Sequence, residues 1–244
     1  MKKIICFLSL SMVLASCSSD DSTETVENNN PALFVTKTVE DMNTATPYTT
    51  LYTYNGNKIV SALDEVGDGY FYTYTGDLIT KVENKEDGEV TETEFYTYDA
   101  QQRLSTYLVL NEEFESGYKF VYAYNLDGTV TISQYRGTMT SQPNLHATST
   151  AFFENGEVVK ITSSVEMTLL YTYDDKNNPF KNVLGYSKIS YDDTSALGMS
   201  HNVTTSNDFF GPNEDVDTTT YTYNIFNYPV TETFRGSTIN YFYE

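Results

Sequence analysis

The chain has 244 residues, 34 Asp and Glu against 14 Lys and Arg, and a formal charge of −20. That length is ample to bury a core as one domain or two small ones. The charge argues against a nucleic-acid partner, because a phosphate backbone is held by Lys and Arg displacing counterions, and it also excludes a polybasic membrane-surface patch. There is no Trp, and 22 Tyr stand beside 14 Phe, a weighting toward aromatics that suits pleated sheets rather than helical bundles.

Residues 1–16 read as an export signal. Lys2 and Lys3 precede an apolar run from Ile4 to Ala15, which is too short to span a membrane at about 20 residues and ends in small residues. Leu14-Ala15-Ser16-Cys17 looks like a bacterial lipobox, in which Cys17 is acylated and becomes the mature N-terminus. Cys6 leaves with the leader, so the exported chain has no thiol to pair and must be held by burial and hydrogen bonds alone. Residues 17–32 form a lipidated, acidic tether whose composition cannot offset the entropy of ordering. Ser18-Ser19-Asp20-Asp21 resembles the acidic signal that sends some Gram-negative lipoproteins to the outer face. The expected location is therefore the outer membrane, displayed at the cell surface; the alternative faces the periplasm.

Residues 33–244 carry an internal repeat. Tyr-x-Tyr occurs at 52/54, 72/74, 96/98, 122/124, 171/173, 221/223 and 241/243, and Phe152-Phe153 reads as a degenerate copy. The spacing is 20 to 29 residues except for one gap of 50 between Tyr173 and Tyr223, which predicts an eroded copy between Gly185 and Asn213. Turn residues follow each pair. Asn55-Gly56 and Asn155-Gly156 predict two-residue type I′ turns, with Thr75-Gly76 at the equivalent place. Asn125-Leu126-Asp127-Gly128 predicts a type I turn closed by a left-handed Gly; Asp174-Asp175-Lys176-Asn177 and Asn224-Ile225-Phe226-Asn227 place Asn at that position. With Asn55-Gly56 as the loop, Tyr52 would face Ile59 and Tyr54 would face Asn57; in the next unit Tyr72 would face Ile79.

The Tyr-x-Tyr-Asp turn, as in Tyr96-Thr97-Tyr98-Asp99 and Tyr171-Thr172-Tyr173-Asp174, resembles the YD repeat of Rhs-type proteins, and more nearly that of small bacterial surface lipoproteins with a few repeats behind a lipobox. Segment Tyr173–Asn182 carries the likeness best, whereas Asn55, Thr75, Asn125 and Asn224 replace the Asp. The resemblance implies architecture and says little of activity. The expected fold is all-β: a long antiparallel meander of hairpins, about sixteen strands, curled into a spiral or a partly closed shell, with Asp, Glu and Thr on its outer face.

No catalytic signature is present. Ser200-His201 are neighbours without a third group to orient them, and His146 reads as a loop residue. Glu83 to Glu94 has the length of a calcium loop but sets Lys85 at a ligand position, and Asp64 to Gly69 sets Val66 where an oxygen is needed. We therefore expect no catalytic residue, metal or cofactor. The repeated tyrosines read as packing between hairpins; those outside the repeat, Tyr107, Tyr118, Tyr186, Tyr191 and Tyr228, with Tyr48, are the candidates for stacking on a ligand. The expected function is a non-catalytic, lipid-anchored envelope protein whose sheet binds a glycan or an envelope protein. The alternatives are a hydrolase using two cleft carboxylates, and an Rhs-like shell around a partner.

Overall fold

The computed structural model describes residues 32–41, 45–211 and 213–244; Cys17, the leader and nearly all of the tether lie outside them. The chain divides into two units, Met1–Asn30 and Pro31–Glu244, and the described residues all fall in the second. They form sixteen strands: β1 (Val35–Glu40), β2 (Tyr48–Asn55), β3 (Lys58–Leu63), β4 (Gly69–Thr75), β5 (Leu78–Glu86), β6 (Glu89–Tyr98), β7 (Leu104–Asn111), β8 (Ser116–Tyr124), β9 (Val130–Thr138), β10 (Ser141–Glu154), β11 (Glu157–Ser163), β12 (Met167–Tyr173), β13 (Val203–Phe210), β14 (Asn213–Tyr223), β15 (Pro229–Phe234) and β16 (Ser237–Tyr243). Each pairs antiparallel with the next, and β1 pairs with β16, so the meander closes into a barrel. Closure removes both free edges, which a sheet of this length would otherwise expose.

One pairing recurs around the ring. The second aromatic of each repeat stands opposite the first inward aliphatic of the return strand: Tyr54 opposite Ile59, Tyr74 opposite Ile79, Tyr98 opposite Leu104, Tyr124 opposite Val130 and Phe153 opposite Val158. Tyr173 opposite Val203 and Tyr223 opposite Pro229 continue it. Tyr243 opposite Val35 completes it, so the closing seam is itself the eighth copy. The aliphatics Val35, Ile59, Ile79, Leu104, Val130 and Val158 are all buried. Burying each such side chain is worth about 1.5–3 kcal/mol, and each cross-strand pair adds about 0.2–1 kcal/mol.

This register differs from the one the sequence suggests. Only Gly56 of Asn55-Gly56 has positive φ (63°), the loop is Gly56-Asn57, and Asn55 pairs with Lys58. Tyr54, not Tyr52, therefore faces Ile59, and Tyr52 faces Ala62. The second unit does the same, with Tyr74 facing Ile79 and Tyr72 facing Val82. The missing ingredient is a β-bulge: Val60 is the extra residue of the return strand, as are Thr80, Ser105, Val159, Thr204 and Val230 in other units and Thr36 at the seam. A bulge bends and twists its strand, and seven around the ring supply curvature that flat hairpins lack. The loop after Thr75 is likewise Gly76-Asp77, with Thr75 paired to Leu78, and Asn177 does not take positive φ; three other turns form as expected. Asn155 and Gly156 both have positive φ (51° and 85°), and Gly128 (86°) and Asn227 (63°) take the left-handed position.

The gap of 50 residues is not an eroded hairpin. After Tyr173 the chain leaves the wall until Val203, with only a 3₁₀ turn at Tyr186–Lys188 and a bridge between Tyr191 and Ala196. This segment packs against the turns at one end of the barrel as a plug. Leu184 N–H donates to the Asn57 carbonyl (2.9 Å), Asn177 N–H to that of Asn227 (2.8 Å), and the Asn182 amide to that of Leu33 (2.9 Å). Gly185, at φ 76°, lies so close to the β4–β5 turn that a Cβ there would be 3.0 Å from the Asp77 carbonyl oxygen. A sixteen-strand wall encloses more space than side chains can fill, and the plug occupies part of it.

The outer wall carries hydroxyl ladders, such as Thr53–Ser61, Thr97–Ser105 and Thr222–Thr231. Lys37, Lys85, Lys119 and Lys160 lie over Phe242, Phe71, Tyr135 and Phe152 of neighbouring strands. Many acidic residues lie instead in the end loops, Asp64, Asp68, Asp87, Glu112 and Glu115 among them.

The second tyrosines also join one unit to the preceding one. Tyr54, Tyr98, Tyr124 and Tyr173 donate to the carbonyls of Val35, Ile79, Leu104 and Val158 at 2.8, 2.6, 3.0 and 2.6 Å. Tyr98→Phe removes one such bond and leaves the ring; it is expected to lower stability in urea denaturation by about 1 kcal/mol, and Ile79→Ala by about 2–5 kcal/mol. An unchanged Tyr98→Phe variant would show that the phenol does not join the units.

Candidate functional site

The first tyrosine of each pair does something different from the second. Tyr52, Tyr72, Tyr96, Tyr122, Tyr171, Tyr221 and Tyr241 share the inward face with their partners but sit one layer farther from the plugged end, where they ring the remaining lumen. Three lobes meet there. One of about 350 Å³ is lined by Tyr70, Tyr72, Tyr96, Tyr107, Tyr122 and Glu94, with Ser190, Asp192 and Ser195 of the plug. A second of about 460 Å³ is lined by Tyr171, Tyr221, Tyr241, Asp208 and Glu232. A third of about 270 Å³ is lined by Tyr48, Tyr52, Tyr70 and Asp68. Tyr186 borders all three. Tyr48, Tyr70 and Phe234, at the end opposite the plug, are exposed and connect the lobes with solvent.

The plug forms the floor of this cup and is pinned from both ends. Where it leaves and rejoins the wall, Asp174 accepts from the backbone and side-chain amides of Asn202 (3.1 and 2.9 Å) and from the Tyr223 hydroxyl. Glu157, buried just past the Asn155-Gly156 turn, accepts three backbone N–H bonds from Met199, Ser200 and His201 (2.7, 2.8 and 3.0 Å). His201 Nδ1 lies 3.2 Å from the same carboxylate. The Ser200-His201 pair is thus part of an anchor between plug and wall. His146 is not in a loop; it lies exposed in β10, between two residues where the register with β9 shifts.

Burial governs the protonation of the lumen. It raises the Glu94 carboxyl above the usual range, opposed by hydrogen bonds from Tyr96 and Tyr107 and reinforced by Glu92 and Asp192. Burial also raises Glu232, opposed by the Tyr241 hydroxyl, and raises Asp208, with Asp217 and Asp215 adding to it. The phenols of Tyr72, Tyr96, Tyr107, Tyr122 and Tyr186 are pushed upward mainly by burial, so they stay protonated donors at neutral pH. Glu94 and Glu232, both raised by burial, line different lobes on strands seven apart around the ring.

The candidate tyrosines divide. Tyr107 is a wall of the first lobe, stacked between Tyr96 (centroids 4.9 Å apart, planes at 5°) and Phe120 (5.1 Å, 19°), and its hydroxyl donates to Glu94 at 3.0 Å. Tyr186 stands at the centre, stacked on Phe180 at 4.9 Å. Tyr118 packs against the core with the Arg136 guanidinium 5.6 Å over its ring. Tyr191 and Tyr228 are buried: Tyr191 meets Tyr122 and Phe153 edge-on, and Tyr228 is hydrogen-bonded to Asn182. Tyr191 nevertheless borders the first lobe, whereas Tyr228 lines none of the three. The repeat tyrosines Tyr72, Tyr96 and Tyr122 line the first lobe as well. Glu94 was visible in the sequence only as the last position of a defective calcium loop; Glu83 to Glu94 is in fact part of the β5–β6 hairpin, and Asp64 caps its own turn through the N–H groups of Val66, Gly67 and Asp68.

No family model and no curated protein matches the chain. Among solved structures, a porin-like protein from Bacteroides uniformis is similar at 14% identity and a TM-score of 0.47, over 86% of this chain and 98% of that one.

Glu157→Gln replaces a charged acceptor of three N–H groups and is expected to cost about 1.5–3 kcal/mol. Amide exchange at Met199–His201 should accelerate, whereas unchanged protection would show that the plug is held otherwise. Acid stability follows from Asp193, which is buried in the plug and whose carboxyl is raised to about 6 by burial and by Asp192, with Arg136 opposing. A carboxyl whose folded pKa lies above its unfolded value near 3.9 binds more protons in the folded state between the two. Stability should therefore fall as pH rises from about 4 to 6 and then level. Asp193→Asn should flatten that slope in denaturation series, and an unaltered slope would assign it to other groups.

Proposed function

We propose that this chain is a non-catalytic, lipid-anchored protein of the bacterial outer membrane, displayed at the cell surface, whose barrel takes a small ligand into its tyrosine-lined cup. The observation that carries this reading is the plugged lumen: a closed wall, one end filled by residues 174–202, and connected lobes of about 270 to 460 Å³ reaching the other end. That volume suits a small molecule or a short saccharide. A folded partner of the kind an Rhs-like shell encloses would not fit, since the chain's own plug takes up much of the space. Threonine hydroxyls and lysines interrupt the exposed apolar side chains of the outer wall, Leu51, Phe95, Val121 and Phe242 among them, where a membrane-spanning barrel has a continuous apolar band; this favours an anchor on Cys17 over a membrane-spanning wall. Leu33, near the start of the described wall, lies at the plugged end. The acidic charge argues against nucleic acid as the ligand.

The aromatic rings and carboxylate acceptors give a saccharide both stacking faces and hydrogen-bond partners, so saccharides belong in the first screen beside small organic molecules. Saturation-transfer NMR on the full-length protein is expected to find binders, and Leu197→Trp, which fills a junction of two lobes, should abolish them. Binding that survives Leu197→Trp, or no binder at all, would reject the cup. Cys17→Ala should release the protein from the membrane fraction; retention of that variant would reject the lipid anchor.

A further inference from the structure

The chemistry of the first lobe narrows what the cup would hold. Its lining contains two carboxylates, Glu94 and Asp192, and no Lys, Arg or His. The adjoining lobes add Asp68, Asp208 and Glu232, again with no basic side chain. Glu94 makes no ion pair among the described residues; its oxygens accept one hydrogen bond each, from Tyr96 and Tyr107. A carboxylate has about four acceptor positions, so both oxygens can take a further donor from the lumen. Around it stand aromatic side chains: Tyr107, its two faces covered by Tyr96 and Phe120, offers its edge and hydroxyl, and Tyr70, Tyr72, Tyr122 and Tyr186 complete the walls.

We infer that the Glu94 lobe binds an organic cation, an ammonium or guanidinium group carried on a flat apolar body, with the charge on Glu94 and the body between the tyrosine rings. Aromatic faces attract a cation through their quadrupoles, more strongly once it is desolvated. A cleft lined by one sign of charge between low-dielectric walls concentrates the opposite sign, and the acidic loops at the barrel's far end act in the same direction. Asp192 is already held by the Thr194 and Ser195 N–H groups and the Thr194 hydroxyl, but a neutral ligand leaves the charge of Glu94 without a counter-ion. An anion adds a third like charge. The elevated carboxyl of Glu94 accords with this burden, which a bound cation relieves.

The inference rests on the lumen being a ligand cup, and its test separates the two. Phenethylamine, 2-phenylethanol and phenylacetate share one size and differ in charge. Titration calorimetry on the full-length protein at pH 8 is expected to show the amine binding at least tenfold more tightly than the alcohol, and the acid not at all. Glu94→Gln should erase the preference for amine over alcohol. Tyr107→Phe, which keeps the ring and the carboxylate, should retain it. Lowering the pH to 5 should shrink the preference in the unaltered protein as Glu94, flanked by Glu92 and Asp192, takes up a proton while the amine stays charged; this arm holds even if Glu94→Gln fails to fold. Equal binding of amine and alcohol, or a preference untouched by both Glu94→Gln and pH, overturns the inference. A saccharide bound in a lumen that ignores all three probes would also overturn it, while leaving the cup itself intact.

Discussion

The structure depends on a single cross-strand contact made eight times, an inward aliphatic opposite an aromatic ring at the start of each return strand. No one copy is strong; a pair of this kind adds about 0.2–1 kcal/mol beyond burial. Its force comes from recurrence in a closed ring, where every unit is flanked by another of the same geometry. The seam obeys the same rule, since Tyr243 meets Val35 as Tyr54 meets Ile59. The barrel closes because its first and last strands are the two halves of one repeat. Phe34 and Glu244, just outside that pair, exchange both backbone hydrogen bonds at 2.9 and 3.0 Å.

The Tyr-x-Tyr pair divides labour between packing and binding. Alternation along a strand sends both tyrosines inward and the middle residue, usually Thr, outward. The two rings then lie at different depths. Nearer the turns, the second ring is held against the neighbouring unit and often bonded to its backbone. One layer deeper, the first ring meets a residue that varies from unit to unit: Ala62, Val82, Tyr107, Ile132, Ser206, Glu232. Where that partner is aliphatic the layer is wall; where it is Tyr107 or Glu232 the layer becomes a polar surface of the cup. A repeat that specifies the fold at one depth thus leaves the next free to carry function.

Much of this was legible in the sequence, and the parts that were not have definite causes. Eight aromatic pairs imply sixteen strands, and Asn155-Gly156, Gly128 and Asn227 announce their turns because few other residues accept positive φ. The bulges were hidden, because the extra residue, Val60 or Val159, is as suited to a strand as its neighbours. The plug reads as a worn hairpin because Asp174-Asp175-Lys176-Asn177 has hairpin-turn chemistry; Asp174 does accept the Lys176 N–H, but it also caps Asn202 across the plug's base, and no return strand follows the turn. Of the candidate tyrosines, Tyr48, Tyr107, Tyr186 and Tyr191 border the lumen, while Tyr228 is consumed by packing. Nothing local distinguishes these cases, since each depends on contacts some tens of residues away. Glu94 escaped notice for a related reason: a lone Glu in a Thr-Glu-rich strand gains meaning only when Tyr96 and Tyr107 flank it inside a closed wall.

Closure is the claim on which the cup, its plug and its charge all rest, and hydrogen exchange along the two terminal strands tests it most directly. In the full-length protein the account predicts that amides of residues 37–40 and 238–243 are protected to the level of those in β8 and β9, because strands at the seam are as fully paired as any other. Rapid exchange confined to β1 and β16, with the remaining strands protected, would mean an open sheet with free edges, and the lumen described here would not exist.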